Sequence, residues 1–510
     1  MNKKFIITWI TCSLLFGLII NSINLKYIKK YNSKNSPLSS KSSCYGYTVY
    51  SIDNVWYLPQ IKNYLKGKGF TYNSTDIRNN VRRTPVYPMF YGLHYILFGE
   101  KASFLIIRYV QLVLFSISTI LLGLSILNIT SNIKWAKYTT ILYALNPFVV
   151  IYCYYTLTES LFPFLEILCF FFFSKSIKNR KYLMLCGLSL GLLVLTRPIC
   201  IILGLCLGLS LIIYNQKTKE SLFNLLKYLS MLTVPFLLVL SVWGMRNYLI
   251  TKEIVFLEKY YEGATCEEGQ GAVFMTEWAG CWSNPTDIIG GYHHIAFTFI
   301  SNPIKLDSFV NNYMNKLPSY AFCGSSYNEV KDAFITYNSC LVEREKLKNQ
   351  TSNSSIYFIE HNLKCNESVK IKFSNLTSNF KKKAPFRYYI ITPLLTIKDI
   401  IFQSFSSAYA CLNPDDRHFS KIQFIFKSIM YILNVFLFLS FIFYLKTKTD
   451  FILKFFIISI VVLTTVFLSF IYRRIESRYM LQVYPFLYIT LSFLFYDIKR
   501  RWLIFKLNKD

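Results

Sequence analysis

Charge is what this sequence has least of. Asp, Glu, Lys and Arg make up 16% of its 510 residues, against 53% hydrophobic and 18% aromatic. That balance excludes an ordinary soluble enzyme and puts the chain among proteins that cross a membrane several times. Acids are scarcer still, 27 against 56 Lys and Arg, for a formal net charge of +29. The excess does not mark a nucleic-acid partner, because the basic residues flank apolar runs instead of forming a soluble patch with interleaved aromatics. No Gly-rich phosphate loop is present, so no nucleotide is implied. No convincing small-x-small cleavage site follows the first apolar run, which therefore reads as a retained helix over roughly residues 5 to 22.

What the chain does have is apolar runs. After the first they fall at roughly 104 to 127, 137 to 153, 157 to 174, 183 to 196, 199 to 214, 228 to 244, 425 to 445, 452 to 472 and 480 to 496. The expected fold is thus all-α and polytopic, with about ten transmembrane helices. Short loops set orientation through their Lys and Arg. With Lys3 and Lys4 inside, every other short inside segment is basic: Lys134 and Lys137, the group from Lys175 to Lys181, Lys217 to Lys227, Lys446 and Lys448, and the tail from Lys499. Both termini are then cytoplasmic. The chain divides into a transmembrane module at 1–245 with a first outer loop at 23–103, an outer region at 246–424, and C-terminal helices at 425–510.

The outer region has the composition of a soluble domain and holds Cys266, Cys281, Cys323, Cys340, Cys365 and Cys411. On an oxidising face such a set favours disulfides over metal ligation, with pairing left open. Residues 386 to 410 read equally as an interfacial helix or a hairpin. In the first outer loop, 86 to 99 is apolar but too short to span, and is expected to lie along the membrane surface.

Polar motifs recur on the outer side: Asp53, Arg82-Arg83-Thr84-Pro85, Thr158-Glu159, Thr196-Arg197-Pro198, Trp243 to Tyr248, and Arg478-Tyr479. Ionisable residues at span ends are costly unless paired or wet, so their convergence marks a site. Carboxylates ringed by arginines at an interface suit an amphiphile with its tail in lipid and a phosphate at the surface, since the guanidinium fork matches phosphate. Plainer readings exist for each residue. Asp53 could cap the helix through Leu65, and Arg197 and Arg246 could be snorkelling anchors. Glu166, seven residues beyond Glu159, is expected to pair with an arginine for structure. Arg473 and Arg474 stand outside against the charge rule, which favours a ligand or else means that the turn is misdrawn.

The order of these elements resembles the polytopic C-type glycosyltransferases, the GT-C superfamily, and especially the dolichyl-phosphate-mannose protein mannosyltransferases and lipid A aminoarabinose transferases. The matching residues are Asp53 and Tyr57, the turn from Leu65 to Gly69, Arg83 to Pro88, Thr158 to Phe162, Arg197-Pro198, Trp243 to Tyr248, and Arg478-Tyr479. The resemblance implies transfer of one sugar from a polyprenyl-phosphate donor to a lipid, glycan or protein acceptor at the outer or lumenal face of the plasma or endoplasmic-reticulum membrane. It makes Asp53 the catalytic base and Glu159 a second acid. Arg82, Arg83, Arg197, Arg246 and Arg478 would bind the donor phosphate, and Tyr57, Tyr87, Asn247 and Tyr479 would position substrate. Two departures stand out. The family's acidic pair is Asp53-Asn54 here, which leaves a divalent metal open and no cofactor certain. Val242 replaces the proline before Trp243. A flippase for lipid-linked glycans would need charge deep in several spans and often repeats, whereas only Glu166 lies deep and no repeat is seen. An oligosaccharide polymerase or ligase would share this topology.

Overall fold

Apolar runs become helices because a helix satisfies its own backbone polar groups where no water can. The computed structural model describes residues 1–35, 47–49, 54, 57–71, 81–259, 271–283, 314–315, 317–350, 356–409, 421–473 and 477–507. Among them the regular structure is helical, with one isolated parallel bridge between Val49 and Tyr155. The N-terminal module comprises α1 (Lys3–Asn35), α2 (Pro59–Leu65), α3 (Val86–Thr130), α4 (Ile133–Ala144), α5 (Pro147–Val150), α6 (Thr158–Ser176), α7 (Tyr182–Val194), α8 (Ile201–Thr218) and α9 (Leu222–Thr251). The long loop region supplies α10 (Gly271–Trp282), α11 (Tyr327–Gln350), α12 (Ile356–Lys383) and α13 (Thr392–Ile401). The bundle closes with α14 (Lys421–Leu445), α15 (Phe451–Val466), α16 (Ser477–Met480) and α17 (Tyr484–Leu507).

All ten apolar runs fall on helices, yet six of the described helices are long and apolar enough to cross a bilayer by length and composition. Ten is therefore an approximate count. The run at 137–153 shows the reason: the Asn146 side chain accepts from the Phe148 N–H at 3.0 Å to start α5, and Pro147 has no N–H with which to continue α4. The run is broken, not a straight span. A second break lies in α3, at Gly99 with φ 73° and ψ 175°, backbone that a residue with a Cβ rarely adopts. Residues 86–98 thus form a separate arm. Tyr87, Tyr91 and His94 are buried while Met89, Leu93, Ile96 and Leu97 are exposed, the one-sided apolar face that an interfacial arm needs. His94 packs within this arm, a ring nitrogen 2.8 Å from the Phe90 carbonyl oxygen.

Close helix approach is carried by small residues. Gly187 and Gly191 of α7 face α9, where a Cβ on Gly187 would meet the Leu232 carbonyl oxygen and one on Gly191 would reach within 2.7 Å of Val239 Cβ. Glu166 does not find the arginine expected for it. Its side chain is buried and neither carboxyl oxygen has a hydrogen-bond partner among the described residues, because it lies two helical turns, roughly 10 Å, deeper than Glu159, where the arginines gather.

Residues 386–401 form one helical stretch, a π turn at Arg387–Ile391 running into α13, and not a hairpin. The loop region has its own core of Trp278, Trp282, Phe334, Tyr337, Phe373 and Phe380. The expected disulfide is there, joining Cys340 of α11 to Cys365 of α12. Cys281 and Cys323 are free thiols, and Cys44, Cys266 and Cys411 lie outside the described residues. The bridge links residues 25 apart, a closure worth about 3 kcal/mol in the chain-entropy account. Cys340→Ser is expected to lower the unfolding temperature of this subdomain and leave the bundle's unchanged. Limited proteolysis with and without reductant checks this, and equal cleavage rates would show that the bridge gives no support.

Candidate active site

Glu159 stands in the first turn of α6, where the helix dipole favours an anion. Its Oε1 lies 2.9 Å from an Arg197 guanidinium nitrogen and 3.6 Å from one of Arg478, and its Oε2 accepts from the Thr158 hydroxyl at 3.1 Å. One carboxylate therefore organises two arginines from distant parts of the chain. Arg197 follows the end of α7 in extended conformation and stacks over the Tyr479 ring at 4.6 Å. Tyr57, Tyr479 and Arg478 all lie within electrostatic reach of it. The Tyr479 and Tyr472 hydroxyls are 2.7 Å apart.

The first loop joins this group through backbone. Val86 N–H donates to the Leu195 carbonyl at 3.3 Å and the Thr84 hydroxyl to that of Thr196 at 3.5 Å, so the Arg82-Arg83-Thr84-Pro85 segment runs beside Arg197. Arg83 lies over the Tyr57 ring at 6.0 Å, and the Tyr57 and Tyr87 rings meet edge-on at 5.6 Å. Asp53 lies outside the described residues. Its neighbours do not: Val49 N–H donates to the Tyr154 carbonyl at 2.9 Å, and Tyr57 and Leu58 N–H donate to that of Asn54. α2 starts at Pro59 with Leu58 in the cap position, so that helix does not use Asp53 as its cap.

Two arginines are engaged elsewhere than expected. Arg246 donates to the Phe70 carbonyl at 2.5 Å and the Asn247 side chain at 2.9 Å, and stacks over Trp243 at 4.6 Å. It holds the Gly67 to Gly69 turn of the first loop against α9. Arg473, for which a ligand was expected, donates to the carbonyls of Phe470, Gly280 and Tyr388. Asn247 likewise serves backbone, donating to the Val255 carbonyl at 2.8 Å.

Three residues of the site escape the sequence motifs. Gln111 is a buried hub: it accepts from Tyr87 and Ser160 hydroxyls at 3.1 and 2.6 Å and donates to the carbonyls of Cys153 and Tyr155. Arg108, visible as a charge inside an apolar run, donates to the Tyr47 carbonyl at 3.1 Å and so anchors the first loop. Glu258 has no sequence signal, yet its carboxylate lies 3.6 Å from Arg83. Burial pushes that carboxyl above its usual range, against the pull of Arg83, Arg197 and Arg82.

Among the described residues this group brings together four arginines (Arg82, Arg83, Arg197, Arg478) and two carboxylates, Glu159 and Glu258. No three His, Cys, Asp or Glu residues come together as metal ligands among the described residues. A cavity of about 560 Å³ opens at the opposite end of the bundle, between Trp135, Lys446, Asp450 and Arg500, away from these arginines.

The crystal structure of ArnT from Cupriavidus metallidurans bound to undecaprenyl phosphate aligns with 96% of this chain and 77% of its own, at 10% identity and a TM-score of 0.34. No curated protein matches the chain by sequence. Residues 82–244, from the arginine pair to the glycine after Trp243, match the family profile described as dolichyl-phosphate-mannose-protein mannosyltransferase, so over that third of its length the chain is similar to the membrane glycosyltransferases that its motifs resemble.

Proposed function

We propose that this protein transfers one sugar from a polyprenyl-phosphate carrier to an acceptor, at the end of the bundle where Glu159 gathers Arg197 and Arg478. That ion-paired cluster is the observation that carries the reading. Guanidiniums on a shared carboxylate beside a lipid-facing arm offer a phosphate site that an amphiphilic donor can enter with its chain still in the bilayer. The match over residues 82–244 supports the same donor class.

In the reaction, an acceptor hydroxyl or amine attacks the anomeric carbon while the bond from that carbon to the carrier phosphate breaks. The phosphate leaves with the bonding electrons, and Arg83, Arg197 and Arg478 meet the charge that develops on it. The acceptor's proton passes to Asp53, whose flanking residues Val49 and Tyr57 are tied to Tyr154 and Arg83. Glu159 serves by holding the arginines, with Oε1 on Arg197 and Arg478. Tyr57, Tyr87 and Tyr479 line the approach. A divalent metal, if used, would draw on residues beyond the two acids already engaged with arginine. The subdomain of α10 to α12 would select the acceptor at the outer face, with both termini cytoplasmic.

Mass spectrometry of surface glycans and lipid-linked sugars in cells lacking the protein tests this. A missing sugar with its carrier accumulated is expected, restored by wild type and not by Asp53→Asn, whose loss as general base is worth roughly 10²- to 10⁴-fold. Rescue by both would remove Asp53 as the base. A missing sugar with the lipid-linked donor trapped on the inner leaflet, and transfer intact once both leaflets are made accessible, would favour transport instead.

A further inference from the structure

The chain leaving α9 is held in place over five residues. Trp243 Nε1 donates to the Leu257 carbonyl at 3.2 Å, Asn247 Nδ2 to that of Val255 at 2.8 Å, and Lys259 N–H to that of Val81 at 3.0 Å. The Trp243 and Asn247 side chains thus spend their donors on the backbone just before Glu258, and the Lys259 amide is fixed just after it. Its partner Arg83 is two residues beyond Val81, on the segment that Lys259 pairs with. A motif read as substrate-binding is instead a bracket for a carboxylate.

The geometry points to Glu258 as the resident counter-anion of Arg83, which the carrier's phosphate displaces on binding and which returns to Arg83 when the phosphate leaves. This rests on the reading of the arginines as the phosphate site. Several observations support a carboxylate that is placed to be exchanged. The separation is 3.6 Å, longer than the 2.7–2.9 Å of a tight charge-assisted pair, and the side chains of Arg83 and Glu258 are 20% and 28% exposed. Burial raises the Glu258 carboxyl even with Arg83, Arg197 and Arg82 close by, so the pair does not recover the cost of desolvating the acid. The donor's phosphodiester brings one charge and two free oxygens to the same guanidinium, and the phosphomonoester left after transfer brings more charge and three. Glu159, by contrast, is bound at 2.9 Å in a nearly closed site and stays put. Among the described residues the site therefore carries one fixed and one exchangeable anion. The exchangeable one keeps the spent carrier from holding the site.

Binding of undecaprenyl phosphate without sugar, to the full-length protein in nanodiscs, tests the exchange. E258Q is expected to bind it about tenfold more tightly than wild type, a factor equivalent to about 1.4 kcal/mol. It should also show stronger inhibition by the spent carrier and a lower kcat. E258D, which draws the acid back by one methylene, should give a smaller gain. R83Q should bind weakly, and adding E258Q to it should change nothing. A structural role for Glu258 would weaken binding on substitution, so equal or weaker binding by E258Q and E258D overturns the proposal, as does an undiminished gain in the R83Q background. If wild type itself does not bind the probe, the phosphate reading of the arginines falls and the exchange falls with it.

Discussion

Glu159→Gln is expected to abolish measurable transfer and to destabilise the bundle by about 3–5 kcal/mol, the cost of breaking a buried ion pair by removing one partner. The Glu159 side chain is 3% exposed and that of Arg197 is 11%. Glutamine keeps the volume and one acceptor oxygen but removes the charge that allows two guanidiniums to share the space, Arg197 at 2.9 Å and Arg478 at 3.6 Å. Arg197 would be left in the interior facing a second arginine. The pair is too buried for salt to screen, so raising ionic strength should not mimic the substitution. Thermal unfolding of the detergent-purified protein and transfer from a labelled polyprenyl-phosphate sugar measure the two losses. A variant that keeps its unfolding temperature and its activity would show that this cluster neither supports the bundle nor orders the site. If stability falls but activity in the folded fraction does not, Glu159 is structural alone.

How much of this was legible in the sequence depended on what each side chain meets. The convergence of Thr158-Glu159, Arg197, Arg82-Arg83 and Arg478 could be read because charge at the ends of apolar spans is costly, so its presence implies partners. The separate arm at 86–98 was legible because its apolar stretch is too short to span; that Gly99 makes the break is visible only in its backbone. What was hidden is side chains that bind backbone. Arg246, read as a phosphate ligand, and Arg473, read as favouring a ligand or a misdrawn turn, both donate to backbone carbonyls; a guanidinium's five donors serve carbonyls as readily as phosphate, and a carbonyl leaves no mark in a sequence. Glu258 was invisible for the same reason: Trp243 and Asn247 bind the carbonyls of Leu257 and Val255 before it, not its carboxylate. Glu166 was given an arginine it does not have, because helical periodicity gives its face but not its depth relative to a partner. Hydropathy read 137–153 as one span, where Asn146 and Pro147 break the helix by local hydrogen bonding that an averaged window does not register.

Arg473→Met should detach the loop subdomain from the bundle and lower transfer by roughly 10- to 100-fold, the scale of loss when a reacting group is misplaced by about 1 Å. The last turn of α10 has carbonyls with no partner inside the helix, and each is met by a side chain from another element. Arg473 donates to Gly280 at 3.0 Å, Thr392 to Cys281 at 3.0 Å and Arg387 to Trp282 at 3.2 Å. Arg473 also donates to Tyr388 at 2.9 Å and to Phe470 at 3.1 Å, with its guanidinium 3.7 Å from the Tyr388 ring centre. It therefore joins the negative end of α10, the turn before α13 and the end of the helix that leads to Arg478. Methionine preserves the stem and deletes the donors. Net hydrogen bonds to a charged group are worth about 1.5–3 kcal/mol each, enough to loosen the subdomain without unfolding either part. The Tyr472 to Tyr479 hydroxyl contact, one residue from Arg473, should loosen with it and carry Arg478 away from Glu159. Limited proteolysis should then release the 271–401 region faster, while the acceptor KM rises more than the donor KM. Unchanged cleavage with both KM values intact would mean that Arg473 only fills space, and the acceptor-selecting role of the subdomain would lose its physical link to the arginine site.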